Sequence, residues 1–132
     1  MNLDYVVLVV GDLDRSLAFY TEAIGFELDH RSGPYAQLAT GTTRLGLFER
    51  DAMAQVLGDA LEPPEPHRPG FEIGCKVADC DAAFAQTTNR GAEPVVEPAN
   101  RPWGQRTAYV RDPDGHLVEL AQDGTDSDGS SG

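Results

Sequence analysis

The residues able to do chemistry in this chain are few, and most stand alone. Glu119 lies inside Leu117-Val118-Glu119-Leu120-Ala121, an otherwise apolar strand-like run. A carboxylate in that setting is costly unless it is paired, solvated or protonated, so Glu119 calls for an acid–base partner or a cationic one. The sole tryptophan, Trp103, follows a proline and precedes a glycine in Arg101-Pro102-Trp103-Gly104-Gln105-Arg106. Its ring has two readings, ordinary packing or a stacking face for a flat or cationic ligand; cation–π contacts contribute about 0.5 to 2 kcal/mol. The three histidines, His30, His67 and His116, lack neighbours at metal-ligand spacing and are expected to be exposed. His67 stands closest to another candidate ligand, a few residues before Glu72. Cys75 and Cys80 are spaced unlike a zinc knuckle and read as small core residues, one on a strand and one on a helix.

The elements that must position these groups come in two copies. Val10-Gly11-Asp12-Leu13-Asp14, a strand running into an acidic helix start, recurs as Val77-Ala78-Asp79-Cys80-Asp81, and each copy continues through a helix-length segment to a glycine, Gly25 or Gly91. In the first half a β-branched run from Tyr5 to Val10 precedes a helix capped by Asp12 or Asp14, with Leu13, Leu17, Tyr20 and Ile24 facing inward. Gly25 suits a left-handed helix end, and Phe26 can fold back onto the last turn. Strand candidates follow at Glu27 to Arg31, Tyr35 to Ala39 and Arg44 to Phe48. Asp51 to Leu61 predicts a short helix packing through Met53, Leu57 and Leu61. Residues 62–70 hold four prolines and read as a linker.

The second half repeats the order: a strand from Glu72 to Val77, a helix from the Asp79 cap to Gly91 with Cys80, Phe84 and Thr87 inward, then strands at Pro94 to Glu97, Arg106 to Val110 and Leu117 to Ala121. Asp112-Pro113-Asp114-Gly115 makes the last turn. The reading is therefore α+β, a single domain over residues 1–122 with βαβββ modules at 1–61 and 71–122 and a disordered tail at 123–132.

The 132 residues carry a formal net charge of −12, with Lys76 the sole lysine. That composition argues against nucleic acid, whose phosphates need a cationic face. No apolar run reaches membrane-spanning length, and Met1-Asn2-Leu3-Asp4 lacks a signal-peptide start. The expected location is cytoplasmic.

Two βαβββ modules, the first opening on Val10-Gly11-Asp12-Leu13-Asp14-Arg15-Ser16-Leu17-Ala18-Phe19-Tyr20 and the second closing on Arg111-Asp112-Pro113-Asp114-Gly115-His116-Leu117-Val118-Glu119-Leu120, resemble the vicinal oxygen chelate superfamily. That group includes glyoxalase I, fosfomycin-resistance enzymes, extradiol dioxygenases and bleomycin-resistance proteins; the likeness is nearest to the last. The resemblance implies a cupped mixed sheet with helices outside, a ligand cavity inside and a homodimer. It also implies metal-ligand positions on the first and last strands of each module, which fall here on Tyr5, Gly46, Glu72 and Glu119. Glycine offers no donor and a neutral phenol is a poor ligand at pH 7. Two carboxylates remain, enough for a weakly held divalent ion and too few for a tight catalytic metal, so no cofactor is expected.

Together with the mapping that the resemblance implies, strand alternation then assigns cavity faces. Tyr5, Val7 and Val9 share one face, as do Glu72, Gly74 and Lys76, and Gly46 with Phe48. Tyr5, Val7 and Phe48 supply apolar walls, Gly74 supplies room, Glu72 and Glu119 supply negative charge, and the Trp103 loop resembles the stretch that helps line the drug cavity in bleomycin-resistance-type members. An ion pair of Glu72 with Lys76 or Arg68 is the competing, purely structural reading of that carboxylate. A shared proton between Glu72 and Glu119 is the third. The expected function is binding of an aromatic or cationic small molecule, as in drug resistance. The alternatives are a divalent-metal-dependent lyase, isomerase or dioxygenase using Glu72, Glu119, water and His67, and a non-catalytic regulatory or scaffold domain.

Overall fold

The computed structural model describes residues 1–61 and 70–124, and the chain divides into two compact units, Met1–Pro64 and Glu65–Gly132. Most of the expected linker, with His67 and Arg68, lies outside the described residues, as does the tail from residue 125 onward.

In the first unit, β1 (Tyr5–Val10), β2 (Glu27–Ser32), β3 (Tyr35–Ala39) and β4 (Arg44–Glu49) form a mixed sheet in the order β1-β4-β3-β2. β1 and β4 pair in parallel and the other neighbours antiparallel. Alternation splits the strands cleanly: Leu8, Val10, Ala36, Leu38, Leu45 and Leu47 turn to the buried side under the first helix. Fully burying each leucine contributes about 1.5 to 3 kcal/mol. Of the two offered caps it is Asp12 that closes α1 (Leu13–Ala18), accepting from the Arg15 amide at 3.1 Å.

That helix continues into a π-helical turn, Phe19–Ala23, in which the Ile24 and Gly25 amides reach back five residues to the Phe19 and Tyr20 carbonyls. The extra residue rotates the inward face. Ser16, Phe19 and Ala23 are buried with Leu13 and Tyr20, whereas Leu17 and Ile24, expected inside, are only half-buried. Gly25 takes φ 96° and the Phe26 amide bonds the Tyr20 carbonyl at 2.9 Å, so Phe26 folds back and its ring lies parallel to Tyr20.

α2 (Arg50–Leu57) follows β4 directly, and here expectation fails. None of its residues is buried; Gly58 at φ 55° ends the helix, so Leu61 cannot continue the Met53 and Leu57 stripe.

The second unit repeats the plan with β5 (Glu72–Lys76), α3 (Cys80–Asn89), β6 (Glu93–Asn100), β7 (Gln105–Arg111) and β8 (Leu117–Asp123), ordered β5-β8-β7-β6. β5 and β8 are parallel. Asp79 caps α3 through the Ala82 amide, while Cys80 and Thr87 are buried and Phe84 is half-buried. Both cysteines behave as apolar residues: burial, with Glu119's charge adding to it, pushes the Cys75 thiol up to about 11, and the Cys80 thiol meets the Leu120 carbonyl at 3.3 Å. Asp123 is no part of a tail. It ends β8, accepting from Lys76 and from the Gln105 amide, bonds that hold a polar strand end which burial would not. The α+β architecture of two βαβββ modules is thus present, each four-stranded mixed sheet having helical cover on one face.

Because Asp12 and Asp79 each satisfy one free amide at a helix start, Asp12→Ala and Asp79→Ala should each lower stability by about 1 kcal/mol in urea denaturation. Two unchanged midpoints would contradict the capping roles.

Candidate ligand-binding faces

In the second unit, pairing places Gly74 and Tyr109 on either side of Glu119, all on the sheet face away from α3. Val118 and Leu120, its neighbours in sequence, point the other way and are buried. Glu119 is half-buried; the Tyr109 hydroxyl donates to its Oε2 at 2.9 Å. Burial is the first cause raising the Tyr109 phenol, followed by that bond and by the charges of Glu119 and Glu72. Glu72 lies on the same face of β5. Desolvation first, then the Glu119 charge and the nearby Glu119 side chain, raise its carboxyl above the ordinary range. Its proposed pairing with Lys76 does not form, because Lys76 holds Asp123 instead. Gly74 leaves room as expected: a Cβ there would come within 3.3 Å of Glu119 Oε1.

In the first unit, Tyr5, Val7, Gly46 and Phe48 lie on the corresponding open face, with Tyr5 56% exposed and Val7 and Phe48 half-buried. Tyr35 and Gln37, which drew no notice in the sequence, join them from β3. The Tyr35 ring covers Gly46 so closely that a Cβ would stand 2.7 Å from its hydroxyl oxygen and 2.8 Å from Cε1. The Tyr35 ring also neighbours Phe48 at 5.8 Å and His30 at 6.0 Å. Its hydroxyl donates to Gln37 Oε1 at 2.9 Å, and Gln37 Nε2 donates to Asp29 Oδ2 at 2.9 Å. The Gln37 bond, followed by His30 and Arg44, keeps the Asp29 carboxyl below its ordinary value against some desolvation, while burial and the neighbouring Tyr5 raise the Tyr35 phenol. No local sequence signal marks this chain of three; only the strand register reveals it.

Trp103 is 62% exposed in the turn between β6 and β7, its indole N–H donating to Gln105 Oε1 at 3.0 Å. Of its two readings, ordinary packing is therefore the one the geometry disfavours. His30 is exposed as expected. His116 is not. Its ring is largely covered, with Nδ1 2.8 Å from Asp112 Oδ2, and Asp112 Oδ1 accepts the Asp114 and His116 amides. Asp112, Asp114 and His116 bring potential metal-binding atoms within 4.8 Å of one another, but both Asp112 oxygens already tie the β7–β8 turn together. A histidine four residues after an aspartate in a Pro-Gly turn was the signal for that lock.

The metal-ligand positions that the resemblance implies offer, in the first unit, a phenol and a glycine lying under another phenol and, in the second, two carboxylates of which Glu119 already accepts from Tyr109. Neither unit by itself supplies the three or four donors that a tightly held divalent ion requires.

A family model for the Glyoxalase/Bleomycin resistance protein/Dioxygenase superfamily matches residues 2–120. The chain is 29% identical over 124 residues to an uncharacterized Bacillus subtilis protein, YraH, covering 91% of this chain and 97% of that one. It is also 29% identical over 134 residues to a probable lactoylglutathione lyase of Synechocystis, covering 97% and 100%. A Nocardioides glyoxalase/bleomycin resistance protein/dioxygenase superimposes with a TM-score of 0.79 at 25% identity, covering 92% of this chain and 83% of that one. With its paired βαβββ modules and this coverage, the chain belongs to the glyoxalase/bleomycin-resistance/dioxygenase superfamily. Among the described residues no helix is long and apolar enough to cross a membrane.

The raised Glu72 carboxyl fixes the sign of a pH effect. A folded state that holds a proton more tightly than the unfolded chain loses stability as pH rises through that raised value. Glu72→Gln should therefore raise the melting temperature relative to wild type at pH 7 to 8 and leave little difference at pH 4. A variant equally shifted at both would rule out the raised Glu72 carboxyl.

Proposed function

We propose that this protein binds and sequesters an aromatic or cationic small molecule, in the manner of a drug-resistance protein and as a homodimer, without transforming it. The observation that carries the reading is the composition of the two open faces. One carries the rings of Tyr5, Tyr35 and Phe48, and the other the Glu72 and Glu119 carboxylates with Tyr109. Exposed aromatic rings favour flat, positively charged partners, and two neighbouring carboxylates, one raised by desolvation and by the other's charge, favour a ligand cation. Trp103, exposed beside the second sheet, adds another stacking surface. Val7 and Gly74 complete the ligand-binding set as wall and space. The protein's acidity also supports attraction of cationic compounds.

The enzyme reading rests on the relative named a probable lactoylglutathione lyase, and it needs Glu72 and Glu119 as metal ligands. Titration with planar aromatic cations distinguishes these readings. Binding should quench Trp103 fluorescence and raise the melting temperature, and Glu119→Gln should weaken affinity roughly tenfold or more, as expected for losing a charge-assisted contact. A broad panel that moves neither signal would refute sequestration and leave the regulatory or scaffold reading. Stoichiometric metal by elemental analysis, lost with turnover in Glu119→Gln, would establish the metal-dependent enzyme.

A further inference from the structure

Two local irregularities of the first unit serve one arrangement. Gly46 carries no side chain, and the space that one would fill is taken by the Tyr35 ring. A β-bulge in β2 between Leu28 and His30 inserts Asp29 as an extra residue beside Gln37. Bulges of this kind re-aim side chains. Here the bulge lets Asp29 accept from Gln37 while His30 keeps its pairing opposite Gln37 in the ladder. The chain that results runs from the Tyr35 hydroxyl to the Gln37 carbonyl oxygen and from the Gln37 amide to the Asp29 carboxylate. Every proton in it points toward Asp29. The Tyr35 oxygen is thereby left with its lone pairs as acceptors, since none of the described residues donates to it. Polarisation along such a chain makes that oxygen a stronger acceptor than an isolated phenol.

We propose that Tyr35 is a ligand-contacting, specificity-determining residue whose hydroxyl oxygen accepts a hydrogen bond from an N–H group on a flat cationic ligand, with Gln37 and Asp29 as its positioning residues. The proposal rests on the sequestration reading and deepens it by naming what the ligand must carry. Tyr5 and Phe48, on the same face, supply the rings for a flat partner. Arg44 is felt electrostatically by both Tyr35 and Asp29, and its charge disfavours a compact cation on this face more than a diffuse one.

Two fluorescent probes of similar size and charge separate the possibilities: 9-aminoacridinium, which has N–H donors, and 10-methylacridinium, which has none. Tyr35→Phe should weaken 9-aminoacridinium roughly tenfold to a hundredfold, as for loss of one hydrogen bond to a charged group, and leave 10-methylacridinium within about twofold. Asp29→Asn should act in the same direction by about threefold, since it removes only the polarisation. Equal losses for both probes, or none for either, would overturn the role of Tyr35 while leaving sequestration standing. If neither probe binds the wild-type protein, this proposal falls, and sequestration stands or falls with the broad panel. Gly46→Ala reports on the arrangement itself: it should destabilise the protein and recover in Gly46→Ala/Tyr35→Ala, and full stability in the single variant would count against the packing of Tyr35 over Gly46.

Discussion

The structure depends on the register of the last strand of each unit. β4 and β8 each lie between a parallel first strand and an antiparallel third strand, and both are hydrogen-bonded on two sides. In a strand held this way a slip of one residue exchanges its two faces. For β8 that slip would carry the Glu119 carboxylate to the side now filled by Val118 and Leu120 and bring both of those to the open face. An uncompensated buried charge costs far more than a protein of this size can spare. The apolar residues fix the register, and the register fixes which polar groups meet.

From that common frame the two units diverge at one position. In each, a tyrosine of the third strand reaches toward the middle of the fourth: Tyr109 finds a carboxylate and donates to it, and Tyr35 finds a glycine and lies across it. The first arrangement keeps an anionic group in place and raises the phenol that serves it. The second is an aromatic surface with an oriented oxygen. A duplicated module thus carries two different side-chain arrangements on one strand order.

Period-two and helical patterns made the βαβββ order readable, because β-branched runs, aspartate caps and glycine ends all agree locally. Tyr5, Glu72 and Glu119 were likewise legible as facing residues. The π-helical turn after Ala18 was not, since the sequence Phe19-Tyr20-Thr21-Glu22-Ala23 carries no mark of the extra residue that shifts the buried face. Tyr35, Gln37 and Asp29 were missed because their bonding depends on a bulge and on pairing between strands, which no local pattern encodes. The covering of His116 escaped for a similar reason: Asp112 spends its oxygens on a turn that looks exposed in sequence.

The proposal on which the account turns is that the open faces of the two sheets take an organic cation. Backbone amide chemical shifts, followed by NMR during titration with 9-aminoacridinium, address it most directly. The account predicts perturbations concentrated at β1, β3 and β4 around Tyr5, Tyr35 and Phe48 and at β5, β7 and β8 around Glu72, Tyr109 and Glu119. Perturbations confined to α2 or the outer faces of α1 and α3, with these strands unmoved, would contradict it.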